Sequence, residues 1–177
     1  MNIFFLDLDP KLAAEYLDDV RVIKLIVEQA QMLSTAHRFL DGSLVKVDNK
    51  KHWLLPDSRE NILYKVAHLN HPCTVWIRKN TSNYSWAYNY YAYLLEEYTN
   101  RYGKIHKSSE LKSTLFEYPK NLPTGYLSPP PLAMPEKYHS DDVVSSYRNY
   151  FINEKSMAKN KPSSWKNQIP SWYNINN

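Results

Sequence analysis

The sequence predicts an all-α fold, a compact single domain over residues 1–177 built as a bundle of about five helices. Two stretches, 10–38 and 82–102, place apolar residues every three or four positions, which is the spacing of one helix face. The chain has three glycines among its 177 residues, which disfavours tight β-hairpins and glycine-rich phosphate loops. A chain of this length typically forms one domain with a sizeable core.

Start and stop signals set the expected bounds of the helices. Asp9-Pro10 is typical of a helix start, and Gly103 is typical of a helix end. His71-Pro72 predicts the end of the second helix, because proline disfavours helical geometry in the residue before it. We expect helices over 10–38, 58–69, 82–102, 108–116 and 140–157, a helical turn over 74–79 and an exposed loop over 43–56.

Two segments are expected to be ordered without regular structure. Residues 118–139 are rich in proline but too apolar for a flexible linker, which predicts an ordered strap on the surface. Residues 160–177 contain Trp165 and Trp172, which predicts a tail held against the rest of the protein by its tryptophans.

Composition and charge narrow the class of protein. Lysine and arginine number 22 against 18 acidic residues, and the resulting net charge of +4 is compatible with a nucleic-acid partner. Cys73 is the only cysteine, which excludes an intramolecular disulfide and favours a reducing compartment. The apolar run at residues 3–6 is too short for a signal peptide or a membrane span. We therefore expect a cytoplasmic protein without a membrane partner.

A polar stripe follows the first predicted helix beside its apolar face. Its members are Arg21, Lys24, Glu28, Gln31 and Thr35, and it is extended at its two ends by Asp19 and His37. One interpretation is a solvated face with a Lys24–Glu28 pair, worth only a few tenths of a kcal/mol. The other is the wall of a polar cleft, in which a carboxylate acts as general acid or base and a cation anchors phosphate.

His68, His71 and Cys73 resemble part of a metal site. Zinc needs three or four ligands, and the sequence offers no CxxC or HExxH motif to complete the set, so we predict no metal and no cofactor. Two interpretations of His71 remain, a hydrogen-bonded turn at the end of a helix and a catalytic or phosphate-contacting role. The candidate catalytic residues are therefore Asp19, Lys24, Glu28, His37 and His71.

Basic and aromatic residues alternate in two later segments, a pattern typical of proteins that hold nucleic acid by stacking and phosphate contacts. Most tyrosines of the long helix are better interpreted as core, whereas the basic run over 101–107 adds positive potential to any cleft that it borders. The candidate ligands of nucleic acid or phosphate are Arg21, Arg78, Asn83, Tyr84, Arg101, Lys104, His106 and Lys107. The side chains expected to converge in one cleft are Lys24, Glu28, His71, Arg78 and Asn83.

Three motifs resemble a family of small, mostly uncharacterised bacteriophage proteins. They are K…E.AQMLSTAH over residues 24–37, NHPC..W.R….NY.W over 70–86 and EY..RYGK.HKS over 97–108. The resemblance covers residues 1–110 and the tryptophan-containing tail. It implies a location in the host cytoplasm and supplies no established activity.

The chain also resembles the pyrimidine-dimer DNA glycosylases of the endonuclease V type, which are small, basic, all-helical single domains. This resemblance implies that Asp19 is the catalytic carboxylate, that Arg21 contacts phosphate or sugar, and that the α-amine of the chain is the nucleophile. In those enzymes the carboxylate is a glutamate, and the amine belongs to a residue exposed by removal of methionine. Here Asn2 is bulky, which predicts that Met1 is retained.

Three classes of function stay open from the sequence. The first is a glycosylase and AP-lyase that attacks a damaged or modified pyrimidine nucleotide in DNA through an imine. The second is a transferase that modifies a DNA base or nucleotide, acting on a phosphorylated pyrimidine intermediate. The third is a non-enzymatic module that binds nucleic acid or a host protein. DNA or a nucleotide is the expected partner of the first two.

Overall fold

The computed structural model describes residues 1–158 and 161–173 and is mostly helical, with two small antiparallel sheets. The helices are α1 (Pro10–Glu15), α2 (Asp19–Asp41), α3 (Arg59–Ile62), α4 (Pro72–Ile77), α5 (Thr81–Tyr102), α6 (Lys112–Phe116) and α7 (Val143–Tyr150). Turns of 3₁₀ helix cover Lys107–Leu111 and Glu136–Tyr138, and a π-helical turn covers Phe151–Lys155. The strands are β1 (Ser43–Val47), β2 (Lys50–Leu54), β3 (Met157–Ala158) and β4 (Lys161–Pro162). Among these described helices, none has the length and apolar character needed to cross a membrane.

The long helices α2 and α5 form the centre of the fold. α5 packs against both α1 and α2 and buries Tyr90, Tyr91 and Leu94 completely. The first residues of the chain join the same core, since Ile3 and Leu6 are also fully buried. Burial of a large apolar side chain contributes about 1.5–3 kcal/mol. The start of the chain is therefore anchored in the core.

The single helix predicted over 10–38 is wrong, because α1 and α2 are separated by a break at residues 16–18. Each helix has its own aspartate cap: Asp9 accepts from the Lys11 N–H at 2.8 Å, and Asp18 accepts from the Arg21 N–H at 2.8 Å. Aspartate is among the preferred residues at this capping position. The apolar spacing of three and four continues through the break, so periodicity alone does not reveal it.

The loop predicted over 43–56 is a β-hairpin, and the all-α prediction is wrong at this point. β1 pairs with β2 in the register Ser43↔Leu54 to Val47↔Lys50. The two-residue turn consists of Asp48 and Asn49, whose φ angles are +49° and +61°. Aspartate and asparagine tolerate this left-handed region better than most residues, so the hairpin forms without glycine.

The second predicted helix, over 58–69, is reduced to α3. The fully buried Arg38 explains its early end, because its guanidinium donates to the carbonyl oxygens of Glu60 and Leu63 at 2.9 Å each and of Tyr64 at 2.6 Å. Those oxygens are the acceptors that a continuing helix would need for its own N–H groups. A tertiary contact thus replaces the local helix.

The long helix predicted over 82–102 is confirmed as α5, and Gly103 ends it in the left-handed conformation with φ of +63°. Residues 118–135 form no regular element and lie along the start of α5. Asn83 and Ser128 link the two: the Asn83 amide donates to the Ser128 Oγ at 3.0 Å and accepts from the Ser128 N–H at 3.0 Å.

The C-terminal part of the chain packs across the α1–α2 junction. α7 begins at Val143 rather than 140, and the π-helical turn extends the helical path to Lys155. The segment predicted as a helix over 108–116 is a 3₁₀ turn followed by α6. Trp165 donates its indole N–H to the carbonyl oxygen of Tyr16 at 3.0 Å, and the Trp172 ring meets the Tyr16 ring edge-on at 5.8 Å. The predicted tail also includes residues 159–160 and 174–177, which lie outside the described residues.

Candidate active site

A cluster of amines and one carboxylate lies where the start of the chain meets α2. One oxygen of Glu28, Oε2, accepts from the Asn2 N–H at 3.1 Å and lies 3.9 Å from the α-amino nitrogen of Met1. The other oxygen, Oε1, lies 3.3 Å from Nζ of Lys24, one helical turn earlier. Glu28 is therefore flanked by two primary amines, one of the backbone and one of a side chain.

The buried entry of the chain holds the amine in place. The side chain of Asn2 accepts from the Phe4 N–H at 2.8 Å and donates to the carbonyl oxygen of Ala133 at 2.8 Å. The side chain of Met1 is 2 % exposed, with its sulfur 3.6 Å from the Thr74 hydroxyl. Met1 as a whole is half-buried, so its exposed part is its backbone. Burial of the side chain fixes the position of the amine beside Glu28.

His71 borders the same cluster from the start of α4. Its Nδ1 accepts from the Cys73 N–H at 3.2 Å, which caps the helix. Burial lowers the pKa of His71, and the charge of the Met1 amine and His68 lower it further, while Glu28 opposes them. The ring is therefore held neutral next to the amine and the carboxylate.

Of the five side chains expected to converge, Lys24 and Glu28 meet at 3.3 Å, and His71 caps the helix whose first turn contacts Met1. The Arg78 and Asn83 side chains make their contacts with other groups. The Arg78 guanidinium lies 4.3 Å from the centre of the Phe39 ring and donates to the Leu69 carbonyl at 2.6 Å.

Asn83 is fully buried, and its amide binds the Trp76 carbonyl oxygen at 2.9 Å in addition to Ser128. Every polar atom of this side chain is thus occupied within the fold. Its place under the strap leaves no free donor or acceptor for phosphate.

Asp19 and Arg101 form a second, separate network at the start of α2. The Arg101 guanidinium lies 3.3 Å from Asp19 and 2.7 Å from Glu97, and it also donates to the carbonyl oxygens of Glu15 and Leu17. Asp19 is nine residues before Glu28, which is about 13 Å along the helix. The carboxylate beside the Met1 amine is therefore Glu28, and the catalytic role that the resemblance implies for Asp19 stays a prediction.

Arg21 is buried and turned towards the C-terminal part of the chain. Its guanidinium pairs with Asp18, donates to the Lys155 carbonyl oxygen and lies 4.8 Å from the centre of the Phe151 ring. With all these contacts made inside the fold, this arginine has no open face for phosphate or sugar.

His37 and Tyr84 belong to the core at the far end of α2. Both are fully buried, and their Nε2 and hydroxyl oxygen lie 2.8 Å apart, while Nδ1 of His37 accepts from the Arg59 guanidinium at 3.0 Å. The Tyr84 hydroxyl in turn donates to the Leu115 carbonyl at 2.9 Å. Burial and the charge of Arg59 lower the pKa of His37 to about 4. This arrangement is structural and lies about 13 Å along α2 from Glu28.

The basic run after α5 is partly open to solvent. Lys104 and Lys107 are exposed, and His106 uses its Nδ1 to accept from the Ser108 N–H at 3.1 Å while its ring meets Tyr98 edge-on at 5.1 Å. Burial lowers the pKa of His106. The two lysines keep their charge available to a partner, and the histidine is a helix cap.

The role of Asn2 in the cluster went unrecognised in the sequence. Asn2 was noted only for its bulk, yet its side chain shapes the turn at Phe4, where φ is +41°. The sulfur of Cys73 is buried with its pKa raised to about 11 by burial, so it is an inert neighbour. Within residues 1–158 and 161–173 no group of three or more His, Cys, Asp or Glu side chains is placed to hold a metal ion.

Comparison with protein families identifies the family to which this chain belongs. Residues 1–111 match the family described as pyrimidine dimer DNA glycosylase, which covers most of the 177-residue chain. The chain therefore belongs to the pyrimidine dimer DNA glycosylase family. Searches of curated proteins and of solved structures found no significant match. The matched residues include the start of the chain, α2 and His71. They therefore include Met1, Lys24 and Glu28, the two amines and the carboxylate of the cluster.

Proposed function

We propose that the protein is a DNA glycosylase and AP-lyase that removes a damaged or modified pyrimidine from DNA through an imine on the amino group of Met1. The observation that carries the proposal is the position of that amine, held 3.9 Å from the Glu28 carboxylate on a residue whose exposed part is its backbone. A primary amine beside a general acid–base group is what imine chemistry at a sugar carbon requires. Family membership supports the same reaction class.

The proposed first step exchanges the base for the amine. The neutral nitrogen of Met1 attacks C1′ of the damaged nucleotide while the bond from C1′ to N1 of the pyrimidine breaks, and the electron pair of that bond leaves with the base. Glu28 takes the proton that the attacking nitrogen gives up. It then protonates O4′ as the C1′–O4′ bond opens, which leaves an imine between Met1 and C1′.

The lyase step follows from the imine. Loss of a proton from C2′ allows the electron pair to move towards the imine, and the 3′-phosphate is expelled by β-elimination. Glu28, whose carboxylate lies 3.9 Å from the amine, accepts the proton in this step. The target nucleotide has to leave the helical stack first, at a cost of a few kcal/mol that is smallest for a damaged base.

The amine of Met1 is better placed for imine formation than that of Lys24. Lys24 is 67 % exposed, whereas the Met1 side chain is anchored in the core. An imine at Met1 therefore has a defined geometry. A reaction on cellular DNA agrees with a cytoplasmic location.

Borohydride trapping tests the proposal directly. The full chain is incubated with a duplex that carries one cyclobutane thymine dimer, or with a duplex that carries an abasic site, in the presence of borohydride. We expect a covalent adduct with both, mapped by peptide mass to residue 1, and no adduct after acetylation of the amino terminus. Binding without any adduct at saturating protein would refute the enzyme and favour a non-enzymatic DNA-binding module.

A further inference from the structure

The ring of His71 is fixed in one protonation form by the fold. Because Nδ1 accepts the Cys73 N–H at 3.2 Å, that nitrogen carries no proton. A neutral imidazole has one N–H, so its proton is on Nε2. Burial and the nearby Met1 amine lower the pKa of His71 and keep this form at neutral pH. The ring is a hydrogen-bond donor at Nε2 and is not free to act as a base at Nδ1.

The donor at Nε2 is unused by the protein. No described residue accepts a hydrogen bond from it, and it is not one of the buried unpaired polar atoms in the described part of the chain, so it reaches solvent. Met1 contacts the first turn of the helix that His71 caps, since its sulfur lies 3.6 Å from the Thr74 hydroxyl, and the charges of the Met1 amine and of Glu28 both act on the ring. A fixed N–H donor without a partner in the described residues can donate a hydrogen bond to a ligand without rearrangement.

We infer that His71 is a catalytic residue that donates its Nε2–H to O2 of the departing pyrimidine. This inference rests on the proposed glycosylase function and adds a role for the leaving group. When C1′–N1 breaks, the electron pair on N1 spreads onto O2, and a preorganised donor stabilises that developing charge. The hydrogen bond matters only while a base is leaving, so it contributes to base excision and not to imine formation at a site that has already lost its base.

Two substitutions of His71 distinguish the role of its Nε2–H donor from the role of its Nδ1 as the cap of α4. In His71→Asn the side-chain oxygen still accepts the Cys73 N–H, since asparagine is a strong capping residue, but no N–H reaches the Nε2 position. In His71→Gln an amide N–H reaches about as far as Nε2 of histidine, whereas the cap is lost. His68→Asn is the control, because His68 is exposed three residues earlier and asparagine tolerates its φ of +48°.

The experiment measures two partial reactions under single-turnover conditions. These are cleavage of the C1′–N1 bond in thymine-dimer duplex, called base release below and measured as alkali-labile sites because the cyclobutane ring keeps the base tethered, and borohydride trapping on abasic duplex. For His71→Asn we expect base release to fall about 10- to 100-fold while trapping changes less than twofold. For His71→Gln we expect base release to recover most of that loss although the Tm falls by about 2–4 °C. His68→Asn should match the wild type in both reactions.

Each other outcome has a definite meaning. Wild-type base release in His71→Asn would overturn the inference, and so would an equal loss of base release and trapping, which would assign His71 to the imine step. Failure of His71→Gln to exceed His71→Asn in base release would also overturn it. If the wild type itself neither releases base nor forms an adduct, the proposed function fails, and that result is distinct from failure of the role of His71.

Discussion

Glu28 differs from Asp41 and Glu97, two other half-buried carboxylates, in the kind of cation that it meets. Asp41 pairs with Arg59, and Glu97 pairs with Arg101, each with a guanidinium that stays charged at any working pH. Glu28 meets two amines instead. An amine can give up its proton and become a nucleophile, so this carboxylate alone among the three has a partner suited to covalent chemistry.

Replacement of Glu28 by glutamine tests the carboxylate without a large structural change. The amide oxygen of Gln still accepts the Asn2 N–H, so we expect the free energy of unfolding to change by less than about 1 kcal/mol. Proton transfer is lost, and general acid–base catalysis typically contributes about 10²- to 10⁴-fold. The rate of borohydride trapping on abasic duplex should fall by that factor.

Glu110→Gln is the matched control for this substitution, because Glu110 is exposed and the change in net charge is the same. It should trap abasic DNA at the wild-type rate. A Glu28→Gln protein that also keeps the wild-type rate would remove Glu28 from the mechanism.

His37 predicts a pH dependence of stability that is independent of the active site. Its pKa is about 4 in the folded protein and about 6.5 in the unfolded chain, so the unfolded chain binds the extra proton. Stability from this group is complete above pH 6.5 and is lost as the pH falls towards 4, by up to about 3 kcal/mol. Urea unfolding of the wild type and of His37→Gln between pH 4 and 7 measures the effect.

The glutamine variant should show a flatter dependence over this window, because its side chain does not titrate. Equal slopes for the two proteins would show that His37 is not the group responsible. Glutamine keeps one donor and one acceptor for Tyr84 and Arg59, which limits the loss of stability at pH 7.

At the scale of elements, local sequence signals determine some helices, and tertiary contacts determine the bounds of others. α5 could be predicted because its apolar face and the stop at Gly103 are local. The hairpin could not, because Asp48 and Asn49 replace the glycine that the usual signal requires. α3 ends early because Arg38, more than twenty residues away, takes its carbonyl oxygens. Such a contact has no signature in the local sequence.

The strap is held against α5 in part by the buried amide of Asn83. Asn83→Ala leaves the Ser128 N–H without a partner at a partly buried place, whereas the Trp76 carbonyl oxygen still accepts from the Lys79 N–H at 3.2 Å. An unsatisfied group costs about 1–3 kcal/mol. We expect a loss of about 1–3 kcal/mol and a Tm lower by roughly 2–12 °C.

Asn89→Ala, on the same helix but exposed, serves as the control for thermal unfolding. It should stay within about 0.5 kcal/mol of the wild type, as surface substitutions usually do. A Tm for Asn83→Ala equal to that of Asn89→Ala would contradict the role given to the strap contact.

At the scale of the whole molecule, the site is assembled from parts that are distant in sequence. The Lys24–Glu28 pair could be predicted from its spacing of four residues. The approach of Met1 could not, because it depends on the burial of residues 3–6 against α2 and α5. The polar stripe offered Asp19 and Glu28 as equal carboxylates, and only the packing of the chain start distinguishes them.

The charges available to DNA are distributed unevenly along α2, which is about 34 Å long. Lys104 and Lys107 follow α5, whose last residue, Tyr102, donates its hydroxyl to the carbonyl oxygen of Asp19 at the start of α2. Lys50 and Lys51 lie in the hairpin that follows the other end of α2. Glu28 is nearer to the start than to the end of the helix. We therefore expect phosphates of bound DNA to reach the first lysine pair and not the second.

Salt dependence of affinity measures this difference. Each phosphate contact contributes about 0.9 to the slope of log K against log salt, so Lys104→Ala with Lys107→Ala should lower the slope by about 2 and weaken binding to any duplex. Lys50→Ala with Lys51→Ala removes the same net charge and should leave the slope within about 0.5 of the wild type. Equal slopes in the two double variants would mean that DNA is attracted by net charge alone. A larger fall for the hairpin pair would place the DNA at the far end of α2, away from Met1 and Glu28.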